Sequence, residues 1–193
     1  VKRLALFFSG TGGNALNLLR ACREGRVPAV PVLGVASTPK AGGLDRLEAE
    51  GLPTAIIVRK DFDSDEAFSE ACYGAAEAAG ADLICLCGWL KLLTVPKRWE
   101  ARILNIHPGL LPRFGGPGLY GLHVHRAVLA AGEAESGATV HLVDNEYDHG
   151  RILEQQRVPV LPGDGPEDLQ QRVYAAEMEL YPRALAAYLT LLP

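Results

Sequence analysis

"LALFFSGTGGNALNLLRACR", residues 4–23, joins two hydrophobic periods across one turn. Leu4 to Phe8 is apolar throughout, as expected of a strand covered on both faces, and Asn14 to Arg23 spaces its apolar residues as a helix does. Between them lie Ser9, Gly10, Thr11, Gly12 and Gly13. Such a loop lets an anion approach the free N–H groups of a helix N-terminus closely. No Lys-Ser/Thr pair follows to make a Walker loop, and only Ala15 stands toward completing a dinucleotide fingerprint after Gly12. A phosphate site and a merely tight turn both remain open at this point.

The same alternation continues outward. Val30–Ala36, Ala55–Val58, Leu83–Cys87 and Arg102–Ile106 read as strands, with helices over Leu44–Glu50 and Asp63–Ala79. Short apolar runs alternating with amphipathic segments are the sequence form of βαβ units and a parallel sheet. Beyond residue 107 the pattern changes. Residues 108–121 hold five Gly and three Pro, a loop long enough to suggest a function. A helix over His123–Ala131 follows, then strands at Ala138–Val143 and Ile152–Val160 that are able to pair antiparallel. A last helix, Pro166–Leu191, is expected to break at Pro182. The expected fold class is α/β, an open, mostly parallel twisted sheet with an antiparallel C-terminal portion. With no repeat, linker or low-complexity tract, residues 1–193 read as a single domain.

Composition narrows the function. A chain of 193 residues that is 48% hydrophobic fits one substantial core. A net charge of -4 argues against a nucleic-acid partner, which would recruit an excess of Lys and Arg. No apolar run reaches the ~18 residues of a membrane span, and Val1 opens directly on a strand-like segment with no leader pattern, so no membrane partner and a cytoplasmic location are expected. Cys22, Cys72, Cys85 and Cys87 lack metal-ligand spacing and read as small buried hydrophobes in a reducing compartment.

Two further stretches carry polar residues where apolar ones would serve packing. In "RILNIHPGLLPRFGG", residues 102–116, the strand ends in Asn105 and His107, which share one face while Leu104 and Ile106 share the other. An amide and an imidazole therefore meet at the C-terminal edge of a strand, where open α/β sheets place their ligands. In "GATVHLVDNEYDHG", residues 137–150, Thr139, His141 and Val143 share a face before an acidic turn with Asp144, Glu146 and Asp148. Any one of these carboxylates alone fits a solvated turn. One placed beside an imidazole would raise its pKa and orient it as an acid-base partner. His123, His125 and His149 read as solvated by default, with a substrate role for His123 left open.

Taken together, "SGTGGN", "CGWLKLL", "NIHPGLLPRF" with "GLHVHRAV", and "SGATVHLVDNEYDHG" resemble the folate-dependent formyltransferases over nearly the whole chain, and within them the branch acting on phosphoribosylglycinamide (GAR). The resemblance implies a Rossmann-like formyltransferase sheet and direct transfer of a formyl group from 10-formyltetrahydrofolate to the GAR amine, with no metal. It implies that Asn105 and His107 stabilise the oxyanion, that His107 donates a proton, and that Asp148 holds His107 and raises its pKa. It places GAR on Gly12, Gly13, Asn14, Ala15, Gly88, Pro108 and Glu177. It places the folate between Leu90, Lys91, Leu92 and Leu93, with Asn105, and a wall formed by Asp144, Asn145, Glu146, Tyr147 and Asp148. Core packing is the competing reading for some of those leucines. GAR and folate are the implied partners, and a homodimer stays open.

The sequence departs from that pattern at Gly13, where relatives often carry Ser or Thr, at Asp65, where many have Arg, and at Met178, where His is common. Lys91 keeps a charge where some have Arg but loses the planar fork. These departures bear on affinity more than on the chemistry. A methionyl-tRNA formyltransferase would need a further C-terminal domain and a formyltetrahydrofolate hydrolase an N-terminal one. A nicotinamide enzyme would need an acidic residue after the second strand, where Ala36, Ser37 and Thr38 stand. A non-catalytic sugar-phosphate module has no use for Asn105, His107 and Asp148 together.

Overall fold

A computed structural model describes residues 1–192. Seven strands form one sheet: β1 (Lys2–Phe8), β2 (Ala29–Ala36), β3 (Thr54–Ile56), β4 (Leu83–Leu86), β5 (Ile103–His107), β6 (Glu135–Leu142) and β7 (Ile152–Pro159). Their spatial order is β3-β2-β1-β4-β5-β6-β7. The first five run parallel, and β6 and β7 are added antiparallel. Helices α1 (Gly13–Arg23), α2 (Gly43–Ala49), α3 (Asp65–Ala78), α4 (Leu122–Ala130) and α5 (Pro166–Leu189) cover the faces. Among the described residues no helix is long and apolar enough to cross a membrane.

Strand alternation sorts the core into two layers. Leu4, Leu6, Phe8, Leu104 and Ile106 pack under α1, α4 and α5, while Ala5, Phe7, Ile84 and Ile103 pack against Phe68, Tyr73 and Trp99 on the α3 side. β1 from Leu4 onward and all of β4 are therefore apolar, because both faces are covered there. Successive strands are added on one side from β1 to β3 and on the other from β4 onward, and this switch between β1 and β4 opens a crevice at their C-terminal ends. The Ser9 N–H donates to the Gly88 carbonyl at 3.1 Å, and the Leu90 N–H donates to Ser9 Oγ at 3.0 Å. The glycine loop and the 88–93 segment are thus tied together across that crevice.

Three expectations need correction. β3 ends at Ile56 rather than Val58, because the chain turns into a short 3-10 helix over Arg59–Asp61. β6 starts at Glu135 rather than Ala138, pairing Ser136 with Val158 and Gly137 with Arg157. A Cβ on Gly137 would fall 2.1 Å from the Gln156 carbonyl oxygen, so this glycine marks a close backbone approach instead of a turn. Finally, α5 runs unbroken through Pro182. Proline removes the N–H that would bond the Met178 carbonyl, and Asn17 Nδ2 on α1 donates to that oxygen at 2.8 Å instead. One residue earlier, Tyr181 Oη donates to the carbonyls of Leu86 and Leu104, both at 3.1 Å, fastening the helix to β4 and β5.

Candidate active site

The ladder between β5 and β6 builds the centre of the site. Asn105 lies opposite His141, and His107 lies opposite Thr139. Because paired residues of antiparallel strands share a face, all four side chains converge. Asn105 Nδ2 lies 3.0 Å from His141 Nε2, and His141 Nδ1 lies 2.8 Å from the Leu142 carbonyl. With Nδ1–H donating to that carbonyl, Nε2 accepts from the Asn105 amide, leaving the second amide hydrogen of Asn105 free.

Asp148 enters from the turn after β6, in a left-handed backbone conformation with φ 54°. Its Oδ2 lies 3.5 Å from His107 Nδ1, and its Oδ1 lies 3.6 Å from His141 Nε2. Both are too long for good hydrogen bonds, and each is an ion pair only when its imidazole carries a proton. The Gly116 N–H donates to Oδ2 at 3.0 Å, and His107 Nε2 donates to the Phe114 carbonyl at 2.8 Å. Phe114 itself has φ 57°. Non-glycine residues in this region cost of order 1–3 kcal/mol each and tend to mark functional sites. The 108–121 loop thus contacts both members of the acid-base pair.

That loop is anchored beneath by Thr139, which is fully buried. Its Oγ1 donates to the Gly109 carbonyl at 2.6 Å and accepts from the Leu111 N–H at 3.1 Å and from Gln155 Nε2 at 2.9 Å.

Electrostatics set the protonation states. Burial pulls the His107 pKa below its ordinary value; Asp148 and the Phe114 carbonyl oppose this without reversing it. The expected rise is therefore present as a contribution and outweighed in the sum, because the imidazole is almost wholly removed from water. For Asp148 burial disfavours the charge, yet His141 and His107 in their protonated forms, with the Gly116 N–H, hold the carboxyl below its usual range. At neutral pH the pair is a neutral imidazole beside a carboxylate.

The glycine loop lies across the crevice. Gly12 has φ 69°, and a Cβ on it would fall 2.7 Å from the Gly43 backbone, so only glycine fits. The first-turn N–H groups at Gly13, Asn14 and Ala15 have no partner within the helix. Asn14 is buried, and its Nδ2 donates to Glu177 Oε2 at 2.7 Å, while its Oδ1 has no partner. Burial raises the Glu177 pKa to about 7, against the lowering effect of Asn14. Ala15 is fully buried; Gly88 is exposed with φ 77°, and Pro108 is half-buried directly after His107.

Of the residues expected around the folate, Leu90 and Lys91 are exposed and Leu92 is half-buried. Leu93 is 2% exposed and packs in the core with Trp89 and Val95. Asn145 Oδ1 accepts from the Val95 N–H at 2.7 Å, which ties the acidic turn to this segment. Asp144 pairs with His149 at 2.8 Å, and Glu146 and Tyr147 are exposed.

One histidine differs from its reading, and another gains a partner that the reading did not foresee. His125 is 1% exposed rather than solvated, and burial lowers its pKa to about 4. His141 was visible in sequence only as a neighbour of Thr139 on one face, and the strand register is what brings it to Asn105. His123 is exposed against the edge of Tyr120. Burial raises every cysteine thiol, to about 11 at Cys22 and about 12 at Cys72 and Cys85, consistent with inert packing roles.

Residues 2–185 match the family model described as "Formyl transferase". The chain is 42% identical over 189 residues to the trifunctional purine biosynthetic protein adenosine-3 of Drosophila melanogaster, covering 96% of this chain but spanning only 14% of that protein. It is 35% identical to phosphoribosylglycinamide formyltransferase of Haemophilus influenzae, covering 94% of this chain and 84% of that one. The crystal structure of phosphoribosylglycinamide formyltransferase from Brucella melitensis superposes with a TM-score of 0.88 at 44% identity, covering 97% of this chain and 95% of that chain. The family match over residues 2–185, with similarity at this level over 84% and 95% of the last two relatives, makes the chain a member of the formyl transferase family, in its phosphoribosylglycinamide formyltransferase group.

Proposed function

We propose that this chain transfers the formyl group of 10-formyltetrahydrofolate to the primary amine of GAR, as a cytoplasmic enzyme of purine synthesis. The observation that carries the reading is the convergence of Asn105, His107 and Asp148 at the end of β5, beside the crevice framed by the glycine loop. GAR would seat its phosphate on the N–H groups of Gly12, Gly13, Asn14 and Ala15, with Glu177 toward the ribose and Gly88 and Pro108 along the glycinamide. The folate would lie between Leu90–Leu92 and the turn Asp144–Asp148.

In the transfer the amine lone pair attacks the formyl carbon, and the carbonyl π electrons move to oxygen. The free amide hydrogen of Asn105 is one donor to that oxyanion. His107 Nε2–H is the other once the Phe114 carbonyl yields it. Collapse re-forms the carbonyl and breaks the bond to folate N10. One proton leaves the attacking nitrogen and one reaches N10, so the pair needs only to hold and relay a proton. Neutral His107 next to ionised Asp148 suits this: a proton taken up at Nδ1, 3.5 Å from the carboxylate, is stabilised there and leaves Nε2–H to be given toward the substrate.

A spectrophotometric assay with a 10-formyl folate, comparing GAR with water as acceptor, tests the reading. Deformylated folate appearing only with GAR is expected. Product at the same rate without GAR would replace the transferase by a hydrolase, and none in either case would overturn GAR as the acceptor in favour of another amine or of a binding role.

A further inference from the structure

The roles proposed above leave one side chain at the glycine loop without an assignment. Tyr174 reaches from α5 to the start of α1. A Cβ built on Gly13 would fall 2.0 Å from Tyr174 Oη and 3.1 Å from its Cζ, so the phenol fills the space where any other residue at position 13 would carry its side chain. Packing alone does not explain this. Tyr174 is 42% exposed, and among the described residues no hydrogen bond engages its hydroxyl. A tyrosine tip held against the first helical residue is instead one donor directed at the place where the backbone offers several more.

Its surroundings fit an anionic ligand. Arg46 Nη1 donates to the Thr11 carbonyl at 2.9 Å on the same loop, which brings a guanidinium near enough for its charge to act on the phenol. Burial raises the Tyr174 pKa more than Arg46 lowers it, so the hydroxyl keeps its proton and acts as a donor. Independently, Asn14 is 8% exposed, with its Oδ1 unpartnered at the next helical position. A buried acceptor left open beside a cluster of open donors is what a phosphorylated sugar, with both anionic oxygens and hydroxyls, would satisfy.

We infer that Tyr174 is a substrate-binding residue whose hydroxyl donates to the phosphate of GAR from the space that glycine at position 13 leaves open, so that Gly13 and Tyr174 act as one unit. This rests on the GAR reading for its substrate, though not for its geometry. It also gives the Gly13 departure a physical role. A hydroxyl at position 13 and a phenol at position 174 would compete for one place, and this chain supplies the donor from α5.

The test is a double-mutant cycle read by two measurements on the full chain. Tyr174→Phe removes only the hydroxyl and is expected to raise KM for GAR by about tenfold, the scale of one hydrogen bond to a charged group, with kcat falling far less and the folate KM unmoved. Ribose 5-phosphate affinity, measured by calorimetry, should fall by the same factor while that for ribose stays put. Gly13→Ser alone should be worse than Tyr174→Ala alone, because its Cβ and the phenol collide. The double substitution should recover affinity relative to Gly13→Ser, giving a coupling well beyond additivity. Additive effects, or equal losses for ribose and ribose 5-phosphate, would overturn the inference. Should the wild type bind ribose 5-phosphate but fail to formylate GAR, the reaction assignment falls and Tyr174 is still judged by calorimetry. Absence of ribose 5-phosphate binding would overturn the phosphate site itself.

Discussion

At His107 two environments compete over one proton. Removal from water favours the neutral ring, and the Asp148 carboxylate 3.5 Å from Nδ1 favours the charged one, with burial prevailing. Replacing Asp148 by Asn deletes the smaller influence and leaves the larger. The His107 titration, followed by the NMR shift of its ring Cε1 proton, should therefore lie below 6.5 in the wild type and move lower still in Asp148→Asn. Turnover should fall together with it, by on the order of 10²-fold if the pair relays the proton. An upward or absent shift would show that Asp148 does not act on His107 through its charge. Asn105 operates differently, through geometry alone: its amide is oriented by His141 at 3.0 Å and keeps one hydrogen free. Asn105→Ala should lower kcat by roughly 10²–10³ without displacing the pH profile, as loss of one oxyanion donor does. If kcat survives this change, the oxyanion is held elsewhere.

At the level of elements, the β5–β6 ladder and the loop it supports decide how well the site is formed. The 108–121 loop has no regular structure of its own before α4, yet it holds His107 through Phe114 and Asp148 through Gly116. Its footing is Thr139, whose hydroxyl meets three partners in the dry interior. Thr139→Val keeps the volume and strands those groups, so a loss of about 1–3 kcal/mol in urea unfolding is expected, with a larger fall in kcat than in GAR affinity. Equal stability to the wild type would mean the loop is anchored by other contacts. The parallel half of the sheet was readable from sequence because, as far as β4, its short apolar runs alternate with amphipathic helical segments. The site was readable only in part. Asn105 and His107 declare themselves by sharing a strand face, whereas His141 joins them through a register that no local pattern encodes. The same limit applies at α5: Pro182 predicts a break, and only the distant Asn17 explains why the helix continues.

Over the whole molecule, buried titratable groups of opposite tendency make stability depend on pH in a way that no single site reveals. His125, lowered to about 4, and His107, also lowered, are neutral when folded and take up protons more readily when unfolded. Their contribution is complete above about pH 6.5 and is lost as pH falls toward their folded values. Glu177 has the opposite sign. Its folded pKa, raised to about 7, lies above the ordinary carboxyl value of 4.5, so its contribution is complete below 4.5 and is lost as pH rises through 7. Between pH 7 and 5 the two trends largely cancel, and the urea midpoint of the wild type should change little, with a modest decline toward acid from the additional histidine. Each group alone contributes a slope of at most about 1.4 kcal/mol per pH unit. Glu177→Gln keeps an acceptor for Asn14 but removes the titration, so its midpoint should drop clearly from pH 7 to 5. His125→Gln removes the opposing term, and its midpoint should instead hold or rise over the same interval. Parallel curves for the wild type and both variants would show that neither buried group changes its protonation on folding, and would return the pH dependence to exposed pairs such as His149–Asp144.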